Sequence, residues 1–240
     1  MNKIVIFFFV LICFSGCSID FEKGDGKKYA LIYGINNYLY VSPPLNFAVS
    51  DAVSMSSSLK NYGFNVVLRT DSEATKSSIS NDLANLVFTM NEEDTLLFYF
   101  SGHGYRTGGI SYIVPYDTSI TNLNSMLSEV ELFEWLKDVK TDKVLLIFDH
   151  CYSGAYIAKN RFFVMTASKA DEEAAEISSI GHGLFTYYFL NGLENKKADI
   201  NEDNHISFSE IFYFVEYYVT NYGYQTPQFL GNKTVEYVLF

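Results

Sequence analysis

The chain alternates between two patterns of apolar and polar residues. Short runs of consecutive apolar residues are typical of strands buried on both faces, and apolar residues that recur every three or four positions are typical of amphipathic helices. The predicted strands are Tyr29–Ile35, Phe64–Arg69, Thr95–Ser101, Lys143–Asp149, Phe162–Ala167 and Thr234–Leu239. The predicted helices are Ala48–Tyr62, Thr75–Met90, a helix that starts at the Ser128 and Glu131 capping box, Leu184–Leu193 and Ser207–Asn221.

Strands that alternate with helices of this length predict a mostly parallel sheet, because each crossover helix returns the chain to the same end of the sheet. The helices then cover both faces, which gives an α/β fold with a three-layer α/β/α sandwich around six strands. Ile110–Pro115 is predicted as a short edge strand or hairpin arm. With 240 residues, of which 48% are hydrophobic, the chain suits a single well-packed domain over residues 29–240.

The first 28 residues follow a different pattern, in which Lys3 precedes the apolar run Ile4–Phe14 and then Ser15-Gly16-Cys17. This order predicts a secretory signal peptide over residues 1–16, since the apolar run is too short to span a bilayer. The Ser-Gly-Cys segment resembles a bacterial lipobox. We therefore expect acylation of Cys17, a lipidated tether over residues 17–28, and export to the bacterial cell envelope with a membrane anchor. An ordinary cleaved signal and an uncleaved anchor are the alternatives.

The cysteine count and the charge narrow the function classes. With Cys13 in the signal and Cys17 acylated, Cys151 is the one thiol left in the mature chain, which predicts a reactive cysteine and no intrachain disulfide. The formal net charge of -11 disfavours nucleic-acid binding through a basic patch and makes basic peptides the more natural partners. Solvation of an acidic surface is the alternative explanation of this charge. We expect a monomer that requires no cofactor.

Two candidate chemical groups follow two of the predicted strands. His103 comes just after Thr95–Ser101, and Cys151 comes just after Lys143–Asp149. Functional groups of parallel sheets collect beyond the carboxyl ends of the strands, so neighbouring strands would bring the imidazole and the thiol together. A cysteine attacks as the thiolate, and a histidine either takes the proton or, as imidazolium, lowers the thiol pKa. The flanking glycines let a peptide approach the backbone.

The segments around these two residues resemble a known family. Tyr99–Gly104 reads Tyr-Phe-Ser-Gly-His-Gly and Asp149–Gly154 reads Asp-His-Cys-Tyr-Ser-Gly, which are similar to the histidine and cysteine motifs of the caspase-like peptidases of family C14, closest to metacaspases. The histidine lies about 50 residues upstream of the cysteine, as in caspases. Ala30–Asn36 and Gly183–Tyr188 resemble the family's first strand and a late helix. The resemblance runs from about Tyr29 to the end of the chain.

This resemblance implies a caspase-like fold and a cysteine-type endopeptidase that acts on peptide or protein substrates. It implies a dyad in which Cys151 is the nucleophile and His103 the base, with a backbone carbonyl to orient the imidazole. It also implies that the amides of Gly104 and Cys151 form the oxyanion hole.

Substrate preference can be predicted from the acidic residues near the motifs. Asp149 lies two residues before Cys151, so strand alternation places both side chains on one side, and Asp51 is expected to converge from the first helix. Carboxylates favour arginine or lysine at P1, the residue before the scissile bond. In metacaspases the positions that match Asp149 and Asp51 line an acidic pocket, and Ser101 matches a polar member of that pocket. Alternatively, Asp51 only complements the helix dipole.

A separate pattern lies between the last two predicted helices. Residues 199–210 have the ligand spacing of a twelve-residue calcium loop, with Asn204 where glycine is usual. Asparagine is the next best residue for a left-handed turn. The ligands would be Asp199, Asn201, Asp203, the carbonyl of His205, Ser207 and Glu210. Equally, Ser207 and Glu210 could form only a capping box, and both interpretations stay open.

Two other functions compete with peptide hydrolysis. A catalytically silent interaction module would keep the fold and bind partners at the membrane surface without turnover. A redox sensor is disfavoured because the mature chain has no resolving cysteine. Of the remaining histidines near the motifs, His150 is interpreted as structural, and His182 receives no role.

Overall fold

The computed structural model describes residues 26–156, 162–231 and 237–240, so the predicted signal peptide, lipobox and most of the tether lie outside the described residues. Its strands are β1 Lys28–Gly34, β2 Phe64–Thr70, β3 Thr95–Ser101, β4 Gly104–Thr107, β5 Ile110–Ile113, β6 Leu127–Ser128, β7 Val144–Asp149, β8 Phe163–Thr166, β9 Glu176–Ile177, β10 His182–Gly183 and β11 Gln228–Leu230. Its helices are α1 Ala48–Asn61, α2 Lys76–Thr89, α3 Glu129–Trp135, α4 Leu184–Leu193 and α5 Phe208–Tyr222.

The main sheet has six strands in the order β2-β1-β3-β7-β8-β11. The first five are parallel to one another, and β11 runs antiparallel to β8. Every residue of β3 and β7 is buried, as expected of the uninterrupted apolar runs that predicted them. The predicted mostly parallel sheet of six strands is confirmed.

Helices cover both faces of this sheet. Side chains of α1, α4 and α5 pack in one core, to which β3 contributes Leu97 and Tyr99. Side chains of α2 and α3 pack in the other core, with Leu96 and Phe98 of the same strand. Alternate residues of a strand point to opposite faces, so each central strand supplies both cores and joins the three layers.

The predicted starts and ends of most helices are found within one or two residues, because their capping residues act as expected. Thr75 accepts a hydrogen bond from the amide of Ser78 at the start of α2, and Ser128 accepts one from the amide of Glu131 at the start of α3. Gly63, with a φ of 81°, ends the segment after α1 in a left-handed conformation.

One strand prediction is confirmed and another needs correction. Ile110–Pro115, predicted as a short edge strand or hairpin arm, contains β5, which forms a hairpin with β4 and also pairs with β6. The partner strand β4 was not predicted. For the predicted strand Thr234–Leu239, residues 232–236 lie outside the described residues, and within 237–240 Val238 makes only an isolated bridge to Ser207. The sixth strand of the main sheet is instead β11, which Phe229 holds in place by stacking on Phe163 at 5.8 Å.

In the three described segments of the chain, no helix has both the length and the apolar character that a bilayer crossing requires.

Candidate active site

The carboxyl ends of β3 and β7 form the centre of the candidate site. The two strands are neighbours, and their register pairs Ser101 with Asp149. The histidine motif and the cysteine motif therefore both begin at the same edge of the sheet, as expected for parallel strands. His103 and Cys151 line one cavity, and Ser101, Asp149 and Asp51 line the same cavity. The structure thus brings together the five side chains that the sequence placed in the dyad and in the acidic pocket.

His103 is held in a defined orientation by contacts from outside its own loop. Its backbone amide donates to the hydroxyl oxygen of Tyr38 at 2.6 Å, and the two rings lie 5.1 Å apart. Its Nε2 lies 2.8 Å from the carbonyl oxygen of Pro43. A carbonyl only accepts, so Nε2 carries the hydrogen, and in the neutral ring the lone pair is on Nδ1. Pro43 supplies the backbone carbonyl that the resemblance implied.

The thiol of Cys151 is half-buried, and it is a free cysteine in the described part of the chain. Burial raises its pKa, as do the nearby charges of Glu173 and Asp149, while hydrogen bonds from the amide of Ala174 and from its own amide act in the opposite direction. The thiol is therefore protonated at neutral pH and needs a base before it can attack. Of the two roles left open for His103, this favours proton removal over a preformed ion pair.

The conformation of the loop after Cys151 accounts for the residues that follow the cysteine in its motif. Tyr152 has a φ of 61°, a left-handed conformation that costs about 1 kcal/mol or more for a residue other than glycine. Its amide donates to the carbonyl of Glu172 at 2.8 Å, which helps to hold this turn. A Cβ at Gly154 would lie 2.6 Å from the backbone of Lys169, so the loop packs directly on the chain that follows β8.

His150 belongs to the cysteine motif, and its side chain contacts both this motif and the histidine motif. It is buried, its Nδ1 donates to the carbonyl of Cys151 at 2.8 Å, and its Nε2 lies 3.2 Å from the hydroxyl of Tyr156. Burial lowers its pKa to about 4, so it is neutral at physiological pH. A Cβ at Gly104 would lie 1.9 Å from that Nδ1, which requires glycine in the histidine motif. These contacts agree with the structural role predicted for His150.

Three carboxylates line the same cavity as the thiol. Asp149 accepts from the Thr186 hydroxyl at 2.6 Å and from the Thr186 amide at 3.3 Å. Asp51 accepts from the amide of Gly183, at 3.1 Å for Oδ2. Glu176 caps the start of α1 by accepting from the amide of Phe47 at 2.7 Å. The predicted convergence of Asp51 and Asp149 is therefore present, and Glu176 adds a third carboxylate.

These carboxylates interact electrostatically. Burial raises the pKa of Asp149 to about 7, and the charge of Asp51 contributes to this shift. Burial also raises the pKa of Asp51, but hydrogen bonds from His182 and Gly183 oppose the increase. Two carboxylates that share one site rarely ionise together. As pH rises, the carboxyl group that is better solvated or better hydrogen-bonded loses its proton first. A cation brought into the cavity would favour the ionised form of both.

His182 and Glu176 are members of the site that sequence reasoning missed. The Nδ1 of His182 lies 2.6 Å from Oδ1 of Asp51, across 131 positions of sequence. Glu176 lies on β9 and His182 on β10, a small antiparallel pair whose two-residue strands give no periodic signal. The flanking glycines of His182 mark a loop but do not indicate its partner.

The predicted calcium loop folds into a compact turn, with Asn204 at a φ of 67° as expected. Asp199 accepts from the amides of Asp203 and Asn204. Both oxygens of Glu210 accept hydrogen bonds, and with Ser207 it forms a complete capping box. Within the described residues, no three of His, Cys, Asp and Glu side chains are grouped so that they could hold a metal ion. The capping-box alternative is formed.

Calcium binding at this loop stays a prediction. If the site exists, calorimetry with millimolar calcium chloride should show binding heat that Asp203→Ala abolishes, because the variant removes a carboxylate ligand. Ser57→Ala, on α1, is the surface control. Absence of heat in the parent protein at millimolar calcium would rule the site out.

Comparisons with known proteins identify the family of the chain. The family model of the caspase domain, Peptidase C14, matches residues 27–238. A metacaspase-1 from Ajellomyces capsulatus is 29% identical over 161 residues, which cover 58% of this chain and 44% of the relative. A probable protease from a Desulfuromonadales bacterium is 27% identical over 240 residues, which cover 79% of this chain and 29% of the relative. The chain thus spans less than half the length of these curated relatives.

A solved structure of a protein from Geobacter sulfurreducens superposes with a TM-score of 0.69 at 16% identity, and the match covers 86% of this chain and 94% of that one. At this identity the likeness supports the fold alone. The family model spans nearly all of the described residues, including both motifs. The chain therefore belongs to the caspase-domain family of peptidases, C14.

Proposed function

We propose that the protein is a cysteine endopeptidase that hydrolyses peptide bonds after arginine or lysine. The observation that carries the proposal is the placement of His103, Cys151 and the buried carboxylates Asp51 and Asp149 around one cavity. A thiol, a base and an acidic pocket are the parts that such a reaction needs.

In the proposed reaction, Nδ1 of His103 takes the proton of Cys151, and Sγ attacks the carbonyl carbon of the substrate. The resulting oxyanion is stabilised by the amides of Gly104 and Cys151. Collapse breaks the C–N bond, and the imidazolium gives its proton to the departing amine. Water, activated by His103, then hydrolyses the thioester and regenerates the thiol.

The acidic pocket is the basis for the proposed preference at P1. A guanidinium or ammonium group that enters a partly desolvated cavity needs carboxylates there, whereas an acidic side chain would be repelled by them. Asp51 and Asp149 are 1% and 6% exposed, so their charges are little screened by solvent. Their burial also opposes the role of Asp51 as a mere helix-start carboxylate, because the carboxylate accepts from the amide of Gly183.

The test is a pair of fluorogenic peptides identical except for arginine or aspartate at P1. We expect the arginine peptide to be cleaved at least about a hundredfold faster in terms of kcat/KM. Faster cleavage of the aspartate peptide would contradict the acidic-pocket assignment. No cleavage of either peptide, together with no labelling of Cys151 by an electrophilic peptide, would favour the silent interaction module.

We also propose that the protein is exported and anchored by acylation of Cys17, which the order of Lys3, the apolar run and Ser15-Gly16-Cys17 supports. Cys17→Ser should move the protein from the membrane fraction to the soluble fraction or block its processing. The intact mass of the mature N-terminus decides the matter, since an unmodified Cys17 there would exclude the lipid anchor.

A further inference from the structure

The pair formed by His182 and Asp51 has no counterpart at Asp149. Asp51 is 1% exposed and receives the imidazole Nδ1 at 2.6 Å as well as the amide of Gly183. Among the described residues, the donors to Asp149 are neutral, namely the hydroxyl and amide of Thr186. A histidine can carry a positive charge, and hydrogen bonds to charged donors are about twice as strong as neutral ones. The two buried carboxylates of the cavity therefore differ in their ability to stay ionised.

Gly183 connects the two carboxylates in space. A Cβ at this position would lie 2.9 Å from Oδ2 of Asp51 and 3.0 Å from Oδ2 of Asp149. Both oxygens thus face the same small volume at the start of α4. Because like charges that face one small volume repel each other, a group that stabilises the charge on one carboxylate disfavours ionisation of the other.

We propose that His182 is a positioning residue for substrate specificity, which holds Asp51 ionised and oriented so that Asp51 provides the permanent negative charge for a basic P1 side chain. Asp149 then serves as a second carboxylate that ionises when the basic side chain enters. The inference rests on the proposed function, since it assigns the roles within the same acidic pocket. His182 acts through Asp51 and does not itself touch the substrate.

The charged groups around the pair determine the expected pH dependence. Asp51 on α1 faces His182 on β10, and it is also influenced by Glu176 on β9, Asp149 on β7 and the hydroxyl of Tyr99 on β3. The hydrogen bond to Asp51 raises the pKa of His182, and burial partly opposes the increase. Without the imidazole, burial and the two neighbouring carboxylates would raise the pKa of Asp51 further. The loss of His182 should then weaken binding most at low pH.

The experiment compares His182→Ala with His182→Asn, in which the side-chain amide can still donate to Asp51 from the position of Nδ1. For the arginine peptide, His182→Ala should raise KM about tenfold at pH 6.5 and clearly less at pH 8.5, with kcat within about twofold of the parent. His182→Asn should recover part of the loss in KM, because its amide still donates to Asp51 but carries no positive charge. Phe88→Ala, a residue that is 84% exposed on α2, is the surface control.

If His182 had only a structural role, His182→Ala would lower both kcat and the thermal stability at every pH. An unchanged KM for His182→Ala, a loss confined to kcat, or a His182→Asn variant that behaves like His182→Ala would overturn the inference. If the parent cleaves the arginine peptide and these variants do not differ, the proposed function stands and the role of His182 fails. If the parent cleaves neither peptide, NMR titration of the labelled Asp51 carboxyl tests the pair without turnover, because its pKa should rise in His182→Ala.

Discussion

Replacement of Cys151 by serine is expected to lower hydrolysis of the arginine peptide at least about a thousandfold, because a hydroxyl is a far weaker nucleophile beside the same base. The side chain is half-buried and lies beyond the end of β7, so the melting temperature should change little. Serine keeps nearly the same volume, and a lost packing contact therefore cannot explain a loss of activity.

His103→Ala should have a loss of similar size, since the thiol of Cys151 has a raised pKa and requires a base. Activity of His103→Ala should recover partly as pH rises, because hydroxide then removes the thiol proton, whereas Cys151→Ser should not recover at any pH. Phe88→Ala again serves as the surface control. Cleavage by Cys151→Ser at the parent rate would exclude the proposed mechanism, and labelling by an electrophilic peptide that persists in this variant would exclude Cys151 as the reacting group.

The second large effect is expected at the acidic pocket. Asp51→Asn keeps an acceptor for His182 but removes the negative charge, so kcat/KM for the arginine peptide should fall about a hundredfold. A peptide with norleucine at P1 has no charge to pair, and its cleavage should change little. An equal loss with both peptides would indicate that Asp51 maintains the shape of the pocket and does not contribute its charge to binding.

Asp149→Asn should have a smaller and pH-dependent effect. The pKa of Asp149 is raised to about 7, so in the parent its negative charge appears as pH rises through neutrality. For the arginine peptide, kcat/KM of the parent should therefore rise between pH 6 and 8, and Asp149→Asn should flatten this increase. The difference between the two enzymes should be about tenfold at pH 8 and close to nothing at pH 6.

The carboxyl group of Asp149 should also make the stability of the fold depend on pH. As pH rises through neutrality, the activity is expected to increase whereas the free energy of unfolding is expected to decrease. The folded-state pKa of Asp149, about 7, lies above its unfolded value, so the folded protein holds the proton more tightly than the unfolded chain. This contribution to the free energy of unfolding is complete below about pH 4 and is lost as pH rises to about 7. Urea unfolding of the parent and of Asp149→Asn should show that the variant lacks this loss, which is on the order of 4 kcal/mol.

The central strands β3 and β7 could be predicted because each contains a run of five consecutive apolar residues, Leu96–Phe100 and Val144–Phe148. Thr95–Ser101 was found with its observed bounds, since seven consecutive buried positions leave no ambiguity of register. The short strand β11 was missed because Gln228–Leu230 has only three residues and its main apolar member, Phe229, becomes informative only through stacking on Phe163.

The candidate site was predictable where its residues lie next to strand ends. His103 and Cys151 follow β3 and β7 directly. Because these strands are parallel neighbours, residues that follow them lie close together in space. His182 was not predictable in this way, because its contact with Asp51 joins β10 to α1 and depends on the tertiary path of the chain. The carbonyl of Pro43 carries no side-chain signal at all, so its contact with His103 is visible only in the structure.

Gly183 carries no functional group, yet it borders both carboxylates of the pocket. A single methyl at that position would press on both oxygens at once while leaving Asp51, Asp149 and the dyad in the sequence. Within this family, a chain that retains every charged residue of the pocket can therefore differ in specificity through the residue that separates the charges. When the preferences of related proteins are inferred from their sequences, the identity of this neutral position is as informative as that of the acids.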